Sequence, residues 1–251
     1  MIPEDDRGFT LGDGLFETIL SRGGLLMHAE AHLARMAAGC AVLGLPAPDA
    51  SDILEEAEAA LAASRLSGAR AAVRVTWTAG SGGRGLDRPA ILEPRLIVTA
   101  APAPPPAGPV RLATVGIRRN ASSPVSELKS LAYLDQILAR REAVAAGAED
   151  ALMWSTAGTV ACATAANVFW LRDGQLETPA LARGVLPGIM RGRVLELTKA
   201  REVECVDVRQ AQAMFLTNSL IGVREVASLD GRAFTPHAMV RDLEAALAAE
   251  L

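Results

Sequence analysis

The stretch SSPVSELKSLAY, residues 122–133, contains one of only two lysines in the 251-residue chain, Lys129; the other is Lys199. Arginine supplies all the other basic side chains except three histidines. An ε-amine can lose its proton and form a Schiff base with an aldehyde, whereas a guanidinium stays protonated and is a poor nucleophile. Lys129 is therefore a candidate for amine chemistry, although a surface lysine near the start of a helix explains the stretch equally simply.

The composition predicts a reduced, cytoplasmic protein with a full hydrophobic core. Half of the residues are hydrophobic and the net charge is −4, so no basic surface for nucleic acid is expected. No apolar run reaches about 18 residues, and the N-terminus lacks the pattern of a signal peptide, so no membrane role is expected. Cys40, Cys162 and Cys205 are far apart and odd in number, which argues against a disulfide framework or a metal site.

A proline-rich segment at residues 101–109 predicts a linker between two domains, because clustered prolines favour an extended backbone. Residues 1–100 then form an N-terminal α/β domain. Residues 110–251 form a C-terminal α/β domain that carries Lys129. The predicted fold class is mixed α/β (α+β), with strands and helices on both sides of the linker.

Periodicity and turn residues predict the elements within each domain. In the first, they indicate a hairpin at 15–27, helices at 28–43 and from 49 onward, and strands at 71–77 and 95–99. In the second, they indicate strands at 110–117, 151–154, 159–162, 168–171, 202–206 and 214–216. Helices are expected at 131–146, 187–200 and after Pro236, with a short one at 208–212.

Three places could bind an anion such as a phosphate. Arg35 could form a bidentate pair with it, although a solvated arginine on an amphipathic helix is the simpler interpretation. The segment Gly188-Ile189-Met190 places free amides at a helix N-terminus, where the helix dipole favours negative charge. Thr217-Asn218-Ser219 follows an apolar strand with three hydrogen-bonding residues, but a plain strand-end turn would need no ligand.

Two further features could contribute to a site. Tyr133, the only tyrosine, is four residues after Lys129, so a helix would put both on one face. The loop at residues 80–85, GSGGRG, lacks the Gly-Lys-Ser/Thr ending of a nucleotide-binding loop. It is interpreted as a lid or hairpin loop whose Arg84 could meet an anionic substrate, or as a bare connection between strands.

Taken together, the chain resembles the class IV, or fold-type IV, pyridoxal phosphate enzymes: branched-chain and D-amino acid aminotransferases and aminodeoxychorismate lyases. Six segments in the family's order carry the resemblance over nearly the whole chain. They are RGFTLGDGLFET (7–18), HLARM (32–36), ELK (127–129), GTVACATAANVF (158–169), VLPGI (185–189) and LTNS (216–219).

The resemblance implies a two-domain fold of the D-amino acid aminotransferase type, the cofactor pyridoxal 5'-phosphate and a homodimer. Lys129 would be the Schiff-base lysine and general base. The implied cofactor-binding residues are Arg35, Lys129, Tyr133, Cys162, Gly188, Ile189, Met190, Thr217, Asn218 and Ser219.

Three residues depart from the family pattern. Cys162 stands where the family has a glutamate that keeps the pyridine nitrogen protonated, and a neutral thiol cannot do this. Met190 replaces a threonine whose hydroxyl would contact the phosphate. Ala79 replaces an arginine that would bind a substrate carboxylate. Arg74 or Arg84 could bind the carboxylate instead.

The glycine-rich loop resembles that of the aminodeoxychorismate lyases more than that of the branched-chain aminotransferases. This resemblance favours a lyase that converts 4-amino-4-deoxychorismate to pyruvate and 4-aminobenzoate, a folate precursor. The alternative is an aminotransferase acting on branched-chain, aromatic or D-amino acids. A third interpretation is a catalytically impaired member of the family, because Cys162 replaces the glutamate.

Overall fold

The computed structural model describes residues 2–250, with side chains described to residue 248. The chain divides into two compact units. The first comprises the residues up to Pro104 together with Leu128–Ala132, and the second comprises Pro105–Glu127 and the residues from Tyr133 onward. Among the described residues, no helix has both the length and the apolar character needed to cross a membrane.

The first unit is a four-stranded antiparallel sheet with two long helices. Its elements are α1 (Arg7–Leu11), β1 (Gly14–Arg22), β2 (Leu25–Leu26), α2 (Ala29–Leu43), α3 (Ala50–Ala63), β3 (Arg70–Thr78) and β4 (Arg95–Pro102). The strand order is β2-β1-β3-β4. The predicted hairpin, both helices and both later strands are confirmed, while α1 was not predicted.

The two helices cover one face of this sheet. Alternate residues of β1, such as Leu15 and Ile19, pack into a core with Met36 of α2 and with Ile53 and Ala57 of α3. Because strand side chains alternate between faces, Phe16 points to the other face of the sheet. Glu17 points to the same face as Leu15 and Ile19, so it needs a polar partner there. This alternation decides where the functional side chains of β1 lie.

The helix boundaries follow from their caps. Asp49 accepts a hydrogen bond from the Ser51 amide and starts α3. Gly44 adopts a left-handed conformation and ends α2 before the prolines are reached. Leu54 is 45% exposed, so it lies outside the apolar face of α3 that Ile53 and Ala57 form.

The segment Leu128–Ala132 pairs with the part of β1 that the short strand β2 leaves open. The Phe16 amide donates to the Lys129 carbonyl over 2.8 Å, and the Leu131 amide donates to the Gly14 carbonyl over 3.0 Å. The segment is therefore extended and belongs by its contacts to the first unit, which differs from the sequence-based assignment of Lys129 to residues 110–251. The predicted helix at 131 begins only at Leu134.

The second unit is a nine-stranded sheet with three helices. Its elements are β5 (Val110–Arg119), α4 (Leu134–Ala145), β6 (Asp150–Ser155), β7 (Val160–Ala163), β8 (Asn167–Arg172), β9 (Gln175–Pro179), α5 (Ile189–Thr198), β10 (Arg201–Val203), β11 (Ala213–Asn218), β12 (Gly222–Leu229), β13 (Arg232–Ala233) and α6 (Ala238–Glu250). The strand order is β10-β9-β8-β11-β12-β5-β6-β7, with β13 on β12.

Separate hydrophobic clusters hold the helices to this sheet. Phe169 and Phe215 stack in parallel, with ring centroids 5.0 Å apart, under α5 and α6. Small residues of α4, Ala139 and Ala143, pack on β5 and β6. The predicted short helix at 208–212 is wrong, because these residues form a turn, and strands β9, β12 and β13 were not predicted.

Candidate active site

Lys129 is held by its backbone and by an aromatic ring. Its Nζ lies 4.2 Å from the centroid of the Phe16 ring, a distance at which the ring's negative face attracts a cation. Burial lowers the pKa of this amine from 10.5 to about 8; Glu17 opposes that shift, while Arg35 and Arg74 add to it. Burial and the two guanidinium groups therefore lower the pKa of Lys129 by more than the Glu17 carboxylate raises it.

Glu17 organises a buried charge cluster on the helix-covered face of the sheet. Arg35 donates to both of its carboxylate oxygens, from Nε over 2.8 Å and from Nη2 over 2.6 Å. His32 Nδ1 lies 2.7 Å from Oε2. Burial alone would raise the pKa of Glu17, but the hydrogen bonds from His32 and Arg35 lower it below its usual value. The carboxylate therefore stays ionised and fixes both basic side chains.

Arg74 lies on the opposite face of the sheet from the helices. Its Cζ is 3.8 Å from the centroid of the Phe16 ring, the same ring that lies under Lys129. The antiparallel register pairs Arg74 with Thr18, two residues after Phe16 on β1, which explains the approach. The exposed guanidinium of Arg74 is thus placed near the Lys129 amine.

The glycine-rich loop between β3 and β4 is built around the buried side chain of Arg7. Its guanidinium donates to the carbonyls of Asp87 over 3.0 Å and of Leu86 over 3.1 Å, and its Nε pairs with Asp13. A side chain at Gly83 would come within 2.1 Å of the Asp87 carbonyl, so glycine is needed there. Arg84 is exposed on this loop, and the sequence prediction of a hairpin loop is confirmed.

In the second unit, the N-terminus of α5 faces a polar strand residue. Gly188 is the N-cap of α5, and it has no side chain that could bond the first amides of the helix. A Cβ at Gly188 would lie 2.0 Å from Oδ1 of Asn167, whose Nδ2 donates to the Leu186 carbonyl. The first turn, Ile189 included, thus offers backbone amides to an anion, while the Met190 side chain is buried in the core.

The segment Thr217-Asn218-Ser219 lies beside Asn167, because Thr217 of β11 pairs with Asn167 of β8. The Thr217 hydroxyl donates to the Gly222 carbonyl over 2.6 Å. The Asn218 side chain accepts from the amides of Leu220 and Ile221. These two side chains therefore build the turn itself, and they position it next to the α5 N-terminus.

Cys162 lies on β7, opposite Met153 of β6. Burial raises the pKa of its thiol from 9.0 to about 11. The positive charge of Arg119 acts in the opposite direction but is outweighed, and Asp150 reinforces the increase. Arg119 is itself committed to backbone carbonyls, those of Gly184 and Ser126. Cys162 is therefore a neutral thiol near neutral pH.

Tyr133 is the N-cap of α4 and is half-buried. Because Lys129 lies in an extended segment and not in the helix, the two residues do not share a helix face. The sequence argument from their four-residue spacing was therefore wrong.

The structure brings the predicted residues together in two groups. In the first unit, Lys129, Arg35 and Arg74 surround Phe16 and Glu17; in the second, Gly188 and Thr217 adjoin Asn167. Glu17 and Asn167 were missed as site residues, although both lie within the segments that carry the family resemblance. The signal was a charged or amide side chain inside an otherwise apolar strand, which requires a buried polar partner.

Comparison with known proteins places the chain in a family. The model of the amino-transferase class IV family matches residues 14–229. A putative branched-chain-amino-acid aminotransferase from Methanocaldococcus jannaschii is 32% identical over 90% of this chain and 82% of its own length. An aminodeoxychorismate lyase from Vibrio harveyi is 29% identical over 91% of this chain and 87% of its own.

A solved structure agrees with these matches. The putative 4-amino-4-deoxychorismate lyase from Legionella pneumophila superposes with a TM-score of 0.92 and 32% identity, covering 100% of this chain and 96% of that one. The chain belongs to the class IV aminotransferase family of pyridoxal-phosphate-dependent enzymes. The expected family and its mixed α/β fold are confirmed.

Proposed function

We propose that this chain is a pyridoxal-phosphate-dependent lyase that converts 4-amino-4-deoxychorismate to 4-aminobenzoate and pyruvate. The observation that carries the proposal is the neutral thiol of Cys162 at the position where the resemblance places a glutamate. The proposal includes a cytoplasmic homodimer, as the resemblance implies. The lyases from Vibrio harveyi and Legionella pneumophila support it, and the Methanocaldococcus jannaschii relative supports the aminotransferase alternative.

Each unit offers one feature with chemistry that pyridoxal phosphate requires. In the first unit, Lys129 offers an amine whose pKa is about 8, and in the second, Gly188 begins a helix whose first backbone amides favour a phosphate. Arg35, Tyr133, Ile189, Met190, Thr217, Asn218 and Ser219 remain proposed cofactor-binding residues. When bound, pyridoxal phosphate supplies an aldehyde that reacts with amines and a conjugated ring that withdraws electrons.

Lys129 performs the amine and proton-transfer chemistry in this proposal. With a pKa of about 8, roughly a quarter of the amine is neutral at pH 7.5, against about 0.1% for an unperturbed lysine. The neutral amine is both a nucleophile and an acceptor for a proton. The ring of Phe16 holds the amine when it is charged, so Lys129 can accept a proton without leaving its position.

Cys162 influences which reaction is favoured. A neutral thiol cannot stabilise a positive charge on the pyridine nitrogen as a carboxylate does, so the ring withdraws electrons less strongly. Amino transfer depends on that withdrawal. Elimination that creates an aromatic ring has a large driving force of its own, so the weaker ring suffices for the lyase reaction.

The substrate carries two carboxylates that need partners. Arg74 and Arg84 are the proposed partners, because both are exposed and Arg74 lies on the Phe16 ring beside Lys129. Ala79 is fully buried and offers no charge in their place.

The direct test supplies the purified protein with pyridoxal phosphate and 4-amino-4-deoxychorismate. We expect 4-aminobenzoate and pyruvate in equal amounts, and neither product from the Lys129→Arg variant. In parallel, branched-chain, aromatic and D-amino acids are offered with 2-oxoglutarate. Rapid amino transfer without 4-aminobenzoate would establish the aminotransferase instead, and failure to take up the cofactor would establish an impaired family member.

The role of Cys162 has its own test. We expect Cys162→Glu to raise amino transfer relative to lyase activity by about tenfold, because a carboxylate stabilises a positive charge on the pyridine nitrogen and so strengthens the electron withdrawal on which amino transfer depends. The matched control is Cys40→Ser, which changes a different thiol whose pKa burial also raises to about 11. An unchanged ratio in Cys162→Glu would disprove this role while leaving the lyase assignment intact.

A further inference from the structure

Four backbone carbonyls of the glycine-rich loop between β3 and β4 converge on one buried guanidinium. Besides binding the carbonyls of Leu86 and Asp87, Arg7 donates from Nη1 to those of Gly82 and Gly85, each over 3.4 Å. The side chain of Arg7 is only 5% exposed, so these bonds form on the inner side of the loop. Leaving a buried donor or acceptor unpaired destabilises a fold, so the bonds favour the one loop conformation that satisfies them.

Arg84 lies between the residues that Arg7 binds. Gly82 comes two residues before it, and the other three carbonyls belong to the residues that follow it. The Asp87 amide donates to the Arg84 carbonyl over 3.2 Å, which closes a tight turn. The side chain of Arg84 remains exposed. The backbone on both sides of Arg84 is therefore held, while its guanidinium is accessible.

Asp13 keeps Arg7 in this orientation. Its Oδ2 accepts from Nε of Arg7 and from Nε of Arg88, both over 2.9 Å. Arg88 also donates to the Leu43 carbonyl at the end of α2, over 2.6 Å. The hydrogen bonds from Arg88 and Arg7 lower the pKa of Asp13 although burial raises it, so the carboxylate stays ionised. A planar guanidinium can pair through Nε and still bind the loop through both Nη atoms, which a lysine amine cannot do.

Asp13 also joins the loop to the lysine segment, within the first unit. The Ala79 amide, at the start of the loop, donates to the Asp13 carbonyl over 3.0 Å. Asp13 directly precedes Gly14, whose carbonyl accepts from the Leu131 amide, two residues after Lys129. The group that orients Arg7 and the backbone that holds Lys129 therefore meet at the start of β1.

We propose that Arg7 is a positioning residue for the substrate: the loop folds around its guanidinium, and this fixes Arg84 for a substrate carboxylate. The inference rests on the proposed function, in which Arg84 is one partner of the two carboxylates. The loop is then a preformed part of the site and not a lid. An arginine whose backbone is already fixed loses less conformational freedom on binding, so the fixed loop favours carboxylate substrates.

This role predicts a particular pattern of kinetics. Arg7 acts through Arg84 and not on the reacting atoms, so Arg7→Met should raise KM for 4-amino-4-deoxychorismate about tenfold and change kcat less than about twofold. Arg84→Ala should raise the same KM about 10- to 100-fold, the effect of losing a hydrogen bond between charged groups. The double variant R7M/R84A should have the KM of Arg84→Ala alone, because the group that Arg7 positions is already absent.

Trypsin tests the loop itself without any substrate. The bond between Arg84 and Gly85 is the one bond in residues 79–94 that trypsin can cut, because the other basic residue there, Arg88, precedes Pro89. We expect the wild type to resist cleavage at this bond. Arg7→Met should be cut there at least about tenfold faster, giving fragments 1–84 and 85–251 that mass analysis identifies.

Controls separate a released loop from an unfolded chain. Cleavage after the exposed Arg209 in the second unit is the internal reference, and its rate should be the same in every variant. The matched variant is Arg22→Met at the other end of β1, because the buried Nε of Arg22 has no hydrogen-bond partner among the described residues. It should change neither KM nor cleavage. If Arg7→Met does not fold, Asp13→Asn keeps the shape of the carboxylate, removes its charge and should release the loop in the same way.

The two measurements fail in different ways. Equal rates of cleavage after Arg84 in the wild type and in Arg7→Met would overturn the inference, whatever the reaction is. Faster cleavage with an unchanged KM, or a double variant in which the two KM effects multiply, would overturn the positioning role. If the chain did not convert 4-amino-4-deoxychorismate, the proposed function and the substrate role of Arg84 would be overturned together, and the cleavage rates would still decide whether Arg7 holds the loop.

Discussion

Burial acts on Lys129 and on Cys162 with opposite chemical results. In both cases it disfavours the charged form, so it lowers the pKa of the amine to about 8 and raises the pKa of the thiol to about 11. The amine becomes available for reaction near neutral pH, whereas the thiol becomes inert. Neighbouring charges modify both shifts but reverse neither. Burial therefore makes Lys129 a candidate catalyst and keeps Cys162 an uncharged, unreactive thiol.

The largest expected effect comes from removing the amine. Lys129→Arg keeps a positive charge but eliminates the nucleophile, so activity should fall by at least about 10³-fold. The chain offers a matched control in Lys199→Arg, since Lys199 is the only other lysine. Steady-state formation of product measures the activity of both variants. Comparable losses of activity in Lys129→Arg and Lys199→Arg would contradict a specific catalytic role for Lys129.

The next effect concerns Glu17, which opposes the pKa shift of Lys129. Glu17→Gln leaves Arg35 without its buried counter-charge, so the free energy of unfolding should fall by about 3–5 kcal/mol. The pKa of Lys129 should fall as well, because the carboxylate raises it. Urea unfolding measures the first change. The exposed Glu55→Gln on α3 should be neutral, and an equally stable Glu17→Gln would contradict the buried network.

The thiol can be tested by alkylation. A pKa raised from 9.0 to about 11 reduces the thiolate fraction about 100-fold at pH 8, so iodoacetamide should modify Cys162 at least about 100-fold more slowly in the native than in the unfolded chain. Peptide mass analysis separates Cys162 from the other cysteines. Rapid native modification of Cys162 would show that the thiol is not protected by burial.

The smallest effect is the stability cost of keeping the amine buried. The pKa of Lys129 is lower in the folded chain than in the unfolded chain, so below pH 8 both states bind the proton and the full penalty is present. As pH rises from about 8 to 10.5 the folded amine loses its proton first, and the penalty disappears. Without added cofactor, Lys129→Met should therefore be more stable at pH 7, by at most about 3 kcal/mol.

Thermal or urea unfolding at pH 7 and at pH 10 checks this dependence. The advantage of Lys129→Met over the wild type should shrink between the two values. If the difference in unfolding free energy between Lys129→Met and the wild type stayed constant with pH, burial of the charged amine would not destabilise the folded chain.

The sequence predicted the elements whose cause is local. Helices α2 and α3 and strands β1 and β3 depend on neighbouring residues, and their predicted positions are confirmed. The boundary of α4 was not predictable in this way. Residues 128–132 are extended because β2 is short and leaves an edge of β1 open, and this is a contact between distant parts of the chain.

The same limit applies to the site. Lys129 stood out because lysine is rare here, and the glycines near α5 carry a recognisable pattern. The pairing of Glu17 with Arg35 and the placement of Arg74 on Phe16 depend on strand register and on how α2 crosses the sheet. The sequence therefore indicates which residue types are unusual, while the structure shows which of them share an environment.

The central claim is that Lys129 is the amine that binds pyridoxal phosphate. It is tested most directly by incubating the protein with the cofactor, reducing with borohydride and locating the label by peptide mass analysis. The account predicts that visible absorbance disappears on reduction and that the label is found on Lys129, with Lys199 unmodified. A label on Lys199, or a colourless protein that takes up no cofactor, would contradict it.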